Sequence, residues 1–162
     1  MMSLRYKISP ELNMILYVGK GSANPSEFFA LEEAAFRNHP RQRGMITLVD
    51  ALELSTCFDL NDIHRFIGNI DTMTKNGMEP GAYFMLTKDR GLHLLAEAAK
   101  LIAGQLDLKA RMFYTLQEAI VALGVSEREE EIIQLWNECK LESSKTGGDI
   151  AKVTTLGQAA QN

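Results

Sequence analysis

Three acidic residues, Asp50, Asp59 and Asp62, lie in or just after an apolar stretch with the composition of a buried β-strand. The stretch and its continuation read MITLVDALELSTCFDLND, from residue 45 to residue 62. Carboxylates at the end of such a strand could bind a divalent metal or transfer protons. Helix capping and the helix dipole also place acidic residues at a strand-to-helix turn. We favour the capping interpretation, which predicts neither a catalytic nor a metal site here.

Hydroxyl and thiol groups lie in the same turn, where Ser55, Thr56 and Cys57 precede Phe58 and Asp59. Phosphorylation at the start of a helix adds charge and can switch partner binding. In the alternative interpretation, Ser55, Thr56 and Asp59 are loop and cap residues whose side chains accept hydrogen bonds from backbone amides. Cys57 could be a reactive thiol near a helix N-terminus, but no histidine has a spacing that fixes it beside the sulfur. The turn is therefore predicted to act, if at all, as an interaction or switch surface.

Two weaker candidates lie elsewhere in the chain. Asp89 and His93 are four residues apart and could share a metal, but no third ligand has a defined spacing. Arg37, Arg41 and Arg43 in the turn RNHPRQRG could bind an anionic ligand. The same arginines are also typical of a solvated helix end. We prefer a surface pair in the first case and solvated cations in the second.

Charge excludes some classes of function. The chain has 162 residues, is 46% hydrophobic and carries a net charge of −4, so it suits one globular domain with a real core. Residues 1–125 hold 13 basic and 14 acidic side chains, whereas residues 126–162 hold 4 and 7. A general nucleic-acid binder needs a basic field, and this chain lacks one.

Cysteine spacing and hydropathy give the expected location. Cys57 and Cys139 are far apart and lack the spacing of a zinc site or a disulfide framework. The start, MMSLRYKISPEL, lacks the features of a signal peptide, and no apolar run approaches the length of a membrane span. We expect a soluble cytoplasmic protein with reduced thiols, no metal and no cofactor.

The order of elements predicts an α/β fold. Leu4, Tyr6 and Ile8 alternate with polar residues, and LNMILYVG follows after a short turn, which favours an antiparallel hairpin. Helical and strand patterns then alternate through three further strands, MITLVDAL, AYFMLT and LKARMFY. Repeated αβ units of this kind imply parallel pairing. The prediction is a mixed five-stranded sheet with helices packed on it and a further C-terminal helix.

Cap residues mark where the helices begin. Asn24 or Ser26 can cap the first helix, and Asp59 or Asn61 the second. Capping-box patterns are formed by two more pairs, Thr115 with Glu118 and Ser126 with Glu129.

An acidic helix is predicted over residues 126–141, after a domain that covers residues 1–125. It carries an apolar stripe that includes Trp136, which either packs on the domain or docks on a partner. Residues 142–162 are small and polar, which predicts a flexible tail.

The element order and three segments, TLVDALEL, AYFMLTKDRGLHLLAEAAKLIAG and LKARMFYTLQEAIVALG, resemble the SpoIIAA-like proteins. This family of small bacterial domains is grouped with the STAS fold and, more distantly, with the Sec14 (CRAL-TRIO) lipid-binding fold. Relatives in the wider STAS group carry an Asp-Ser-Ser-Gly-like motif with a phosphorylated serine. Here Phe58-Asp59-Leu60 replaces that signature.

The resemblance implies a non-catalytic regulatory or protein-interaction module, without a clear phosphoserine switch. Its contact surface would use Ser55, Thr56, Cys57, Phe58 and Asp59, and Trp136 on the extra helix, for a protein partner or for self-association. The alternative function is a carrier or sensor of a small apolar or lipid-like ligand. In that case a cavity of a few hundred cubic ångströms would lie between helices and sheet. Five apolar side chains would line it: Phe28, Phe66, Ile70, Phe84 and Leu95.

Overall fold

The structure, a computed structural model, describes residues 3–104, 106 and 108–144, without the side chains of Ser3, Thr56 and residues 142–144. Most of the predicted polar tail, residues 145–162, lies outside this part. Residues 142–144, which were also assigned to the tail, belong instead to the last helix.

The elements follow the predicted order. The strands are β1 (Ser3–Ser9), β2 (Met14–Ala23), β3 (Ile46–Thr56), β4 (Tyr83–Leu86) and β5 (Ala110–Phe113). The helices are α1 (Pro25–Asn38), α2 (Leu60–Lys75), α3 (Arg90–Ala103), α4 (Leu116–Leu123) and α5 (Glu129–Ser144), with a short 3-10 turn at Ser126–Arg128.

The strands form one mixed sheet in the order β1-β2-β3-β4-β5. β1 pairs antiparallel with β2, and the remaining neighbours pair parallel. The predicted hairpin and mixed α/β sheet are therefore confirmed. Within the described residues, no helix is long and apolar enough to cross a membrane.

Alternation along the strands gives the sheet two buried faces. One face packs with α4 and α5, through residues such as Leu48, Ile120 and Ile132. The other packs with α1, through residues such as Tyr17 and Ala35. Because successive side chains point to opposite faces, the central strands β2, β3 and β4 contribute to both cores.

Three of the predicted helix starts are confirmed. The side chains of Asn24, Asp59 and Thr115 each accept the amide of the residue three positions later, and each forms a reciprocal capping box. The Ser126–Glu129 prediction was wrong, because Ser126 begins the 3-10 turn and α5 starts only at Glu129.

The third strand is longer than its apolar pattern predicted. Ser55 and Thr56, expected in a loop, belong to β3 and pair with Ser22 and Ala23 of β2. The register of the pairing also shifts by one residue. Val18 pairs with Asp50 and Lys20 pairs with Glu53, so two steps along β2 match three steps along β3. One extra residue in β3 is a β-bulge, which bends the strand and leaves a ladder amide without its usual partner.

Candidate ligand-binding site

A cavity of about 90 Å³ lies between the layer formed by α1, α2 and α3 and the sheet. Its lining is almost entirely apolar. Side chains from all three helices and from β3, β4 and β5 surround it, among them Phe28, Ile63, Phe66, Leu92, Val49 and Met112.

The cavity exists because α3 presents small side chains to the sheet. The buried face of α3 carries Leu92, Ala96 and Ala99, at positions i, i+4 and i+7. Ala110 of β5 also lines the space. Alanine fills much less volume than leucine, so these positions leave room that the larger residues around them do not close.

Aromatic rings form the α1 and α2 side of the cavity. The Phe66 ring meets the Tyr83 ring edge-on, with 4.9 Å between centroids, and Phe28 packs against Phe29 at 6.0 Å. The Arg65 guanidinium lies 4.4 Å from the Phe29 ring centroid and covers that ring. These contacts hold the rings in defined positions, which gives the cavity a fixed shape.

The lining expected from the sequence is largely found. Phe28, Phe66, Phe84 and Leu95 border the cavity, whereas the buried Ile70 does not line it. The Phe84 ring itself packs on Phe113 in the α4–α5 core, with 4.8 Å between centroids. The cavity, at about 90 Å³, is also smaller than the few hundred cubic ångströms expected.

A buried charged cluster adjoins the cavity at Thr47 and Tyr83, which both line it. Arg41 donates to Glu32 Oε1 at 2.9 Å and, from both terminal nitrogens, to Thr47 Oγ1 at 3.1 Å. The Arg41 and Glu32 side chains are only 8% and 16% exposed. The guanidinium also lies 4.2 Å from the Phe36 ring centroid and 5.1 Å from that of Tyr83.

Burial dominates the protonation of this cluster. It raises the pKa of Glu32, and the Arg41 charge and hydrogen bond oppose that rise only in part. Burial also raises the pKa of Tyr83 well above its ordinary value, so this phenol stays protonated at neutral pH. Among the residues that the structure describes, the buried hydroxyls of Tyr6 and Tyr17 have no hydrogen-bond partner.

Arg41 is the residue that the sequence interpretation missed. Arg37 and Arg43 are exposed and pair with Glu33 and Glu79, as expected of a solvated turn. Arg41 lies in the same turn but points inward, so its interpretation as a solvated cation was wrong. No local pattern distinguishes it, because its partner Glu32 is on α1 and Thr47 is on β3.

Asp50 is the centre of a second buried polar cluster, on the opposite face of the sheet. Its Oδ1 accepts the Leu52 amide at 3.0 Å, which satisfies the backbone at the β3 bulge. Its Oδ2 accepts the Trp136 indole N–H at 2.6 Å and lies 3.6 Å from the Lys140 ammonium. The structure therefore gives Asp50 a structural role, as the residue that joins β3 to α5.

The other acidic candidates do not join Asp50. Asp59 and Asp62 accept each other's backbone amides in the α2 capping box. Asp89 caps α3, while His93 Nε2 donates to the Thr87 carbonyl at 3.0 Å and its ring stacks on Tyr114. Within the described residues, no group of three His, Cys, Asp or Glu side chains is placed to hold a metal ion.

Trp136 packs within the chain. Besides the bond to Asp50, its ring lies 3.8 Å from the Lys140 ammonium. The ammonium of Lys7, an almost fully buried residue of β1, lies 3.5 Å from the Glu138 carboxylate of α5. Polar contacts thus join α5 to β1 and β3, and its apolar stripe packs in the core that also holds Met14 and Leu16 of β2.

The predicted switch surface is divided between solvent and the cavity. Ser55, Cys57 and Asp59 are exposed, and Thr56 is in β3 without a described side chain. Phe58 is half-buried and lines the cavity. Of these residues, Phe58 is therefore the one that connects the turn to the cavity.

No family model and no curated protein matches the chain. A crystal structure of an uncharacterized DUF3478-family protein from Shewanella loihica PV-4, with a SpoIIAA-like fold, is similar. Identity is 14% and the TM-score 0.46, over 75% of this chain and 93% of that one. This likeness says nothing about function.

Proposed function

We propose that the protein is a non-catalytic carrier or sensor that binds a small apolar molecule between α1–α3 and the sheet. The observation that carries the proposal is the apolar cavity of about 90 Å³. An apolar cavity holds water poorly, because water needs several polar partners, and it readily accepts an apolar molecule of matching size. The small volume favours a short alkyl chain or a small ring over a whole lipid.

Filling the cavity is expected to abolish binding. In Ala96→Leu, the added side chain projects from the buried face of α3 into the space that a ligand needs. Ala30→Leu is the matched control, because Ala30 lies on α1, another helix of the same layer, is exposed and does not line the cavity. Two-dimensional NMR titration with cyclopentane measures binding at the amides of Val49 and Met85.

The expected result is saturable shifts in the wild type and in A30L, with affinity weakened at least about tenfold in A96L. The proposal fails if the wild type shows no saturable shifts, or if A96L binds as well as the wild type does.

We also propose a second function, a protein-interaction module that uses the outward face of α3. Leu94 and Leu101 are 72% and 84% exposed, and Ile102 is 39% exposed. A helix that is apolar on both faces is normally covered on both. Leu94 lies four residues before Ala98, and Ile102 lies four residues after it. If two copies of α3 pack antiparallel about Ala98, Leu94 of one copy therefore faces Ile102 of the other. The proposed partner is therefore a second copy of this chain.

Sedimentation velocity over a range of concentrations tests this second function. We expect a reversible dimer whose dissociation constant rises at least about tenfold in Leu101→Glu. Leu141→Glu on α5, which is 63% exposed in the wild type, should leave it unchanged. A wild type that stays monomeric, or an L101E variant that dimerises normally, contradicts the proposal.

A further inference from the structure

Aromatic side chains border much of the cavity. On its helix side lie Phe28 and Phe29 of α1, Phe58 in the turn before α2, and Phe66 of α2. Tyr83 of β4 also borders it. The Phe66 ring meets the Tyr83 ring at 80° between ring planes, and the Phe28 ring meets the Phe29 ring at 72°. An edge-on contact uses the edge of one ring and one face of the other, so both pairs keep ring surface that can contact a third ring.

Two methionines form part of the cavity floor on the sheet. Met85 of β4 and Met112 of β5 are paired in the parallel register, and both border the cavity. Each is half-buried. A thioether sulfur is polarisable and makes favourable contacts with aromatic rings. The floor therefore offers a guest two thioethers on neighbouring strands.

The composition of the lining restricts the guest further. Because the lining is almost entirely apolar, a hydroxyl, amide or charged group in the cavity would lose its hydrogen bonds to water without replacement. The space of about 90 Å³ beside Ala96 and Ala99 suits one small ring. An aliphatic ring of that size gains from burial of its surface. An aromatic ring gains in addition from contacts of its edge and faces with the wall rings and thioethers.

Resting on the proposed function, we infer that the group bound in the cavity is a single aromatic ring without polar substituents. Phe66 from the helix layer and Met85 from the sheet are then specificity-determining residues. They favour an aromatic ring over an aliphatic ring of the same size.

Benzene and cyclopentane test the inference, because they are close in volume and differ in aromatic character. Thiophene, an aromatic ring of five atoms, controls for ring size. Association constants are measured by NMR titration of the wild type, and each is divided by the partition coefficient of that guest from water into hexane. The division removes the difference in hydrophobicity between the guests. We expect the ratio to be about three- to tenfold higher for benzene and thiophene than for cyclopentane.

Met85→Leu removes one sulfur and approximately preserves the side-chain volume. We expect it to lower the preference for benzene over cyclopentane about two- to threefold. Met78→Leu is the matched control, because Met78 is also half-buried but does not border the cavity. It should keep the wild-type preference. An M85L protein with the wild-type preference overturns the role of Met85.

A measurement on the wild type keeps the inference testable should M85L fold poorly. A bound aromatic ring shifts the signals of nearby methyl groups through its ring current, whereas cyclopentane has no ring current. With isotope-labelled methionine methyl groups, we expect larger shifts at Met85 and Met112 for benzene than for cyclopentane, and none at Met78. Shifts of equal size for both guests overturn the inference.

The outcomes separate this inference from the proposed function. If cyclopentane binds with a ratio equal to or higher than that of benzene, the inference is wrong and the cavity still binds apolar molecules. If none of the three rings binds the wild type, both fail.

Discussion

Replacing Arg41 by methionine is expected to lower the free energy of unfolding by about 3–5 kcal/mol, because a buried charge is left without its partner. Glu32 would keep its carboxylate in a site that is 16% exposed, and Thr47 would lose two donors. Methionine preserves much of the side-chain length, so lost packing contributes little. Urea denaturation followed by circular dichroism measures the change.

Arg37→Met is the matched control, since Arg37 lies at the end of α1, four residues before Arg41, and its side chain is 70% exposed. We expect no change beyond experimental error for it. The double variant Arg41→Met with Glu32→Gln should be more stable than R41M alone, because it removes the uncompensated charge. An R41M protein within about 1 kcal/mol of the wild type would show that the pair is not buried in solution.

The pH dependence of R41M has a defined sign. The folded-state pKa of Glu32 is raised above its ordinary value of 4.5, so protonation of Glu32 favours the folded state. This stabilisation is present below 4.5 and is lost as the pH rises through the folded-state pKa. Without Arg41 that pKa rises further, because Arg41 lowers it in the wild type. The difference in stability between R41M and the wild type should therefore shrink as the pH falls from neutral.

Replacing Asp50 by alanine is expected to cost about 2–4 kcal/mol of stability and to loosen α5. The substitution leaves the Leu52 amide and the Trp136 indole without their acceptor, and each buried unpaired donor costs about 1–3 kcal/mol. Lys140 also loses its carboxylate partner. Trp136 is the single tryptophan of the chain, so its fluorescence reports directly on α5.

The fluorescence of D50A should shift to longer wavelength as Trp136 becomes hydrated, and its urea midpoint should fall. Trp136→Phe serves as the comparison for stability, because it removes one donor and leaves Leu52 and Lys140 bonded to Asp50. We expect it to be less destabilised than D50A. Unchanged emission and an unchanged midpoint in D50A would contradict the structural role of Asp50.

The sequence predicted the elements whose signals are local. Thr115 was predicted as a cap, and Asn24 and Asp59 were each one of two predicted caps, because each bonds to a residue only three positions away. The wrong prediction of a cap at Ser126 also has a local cause, because a 3-10 turn and a capped helix start use the same residue types. The end of β3 was misplaced because polar strand residues such as Glu53 and Ser55 resemble a loop.

The polar clusters could not be predicted in the same way. Asp50 and Trp136 are 86 residues apart, and only the fold brings them together. The inward direction of Arg41 likewise depends on Glu32 and Thr47, which flank it on different elements. The alternative function predicted a cavity between helices and sheet, where one lies, but its volume depends on how closely Ala96 and Ala99 approach the sheet, which periodicity does not encode.

The central claim is that the space between α1–α3 and the sheet accepts a small apolar guest. A crystal structure of the protein equilibrated with xenon tests it most directly, because xenon enters dry apolar cavities and scatters strongly. We expect density for xenon, or for a molecule retained from the cell, in contact with Val49, Met85 and Ala96. A cavity closed by the Phe66 and Leu95 side chains, with no density inside it, would contradict the account.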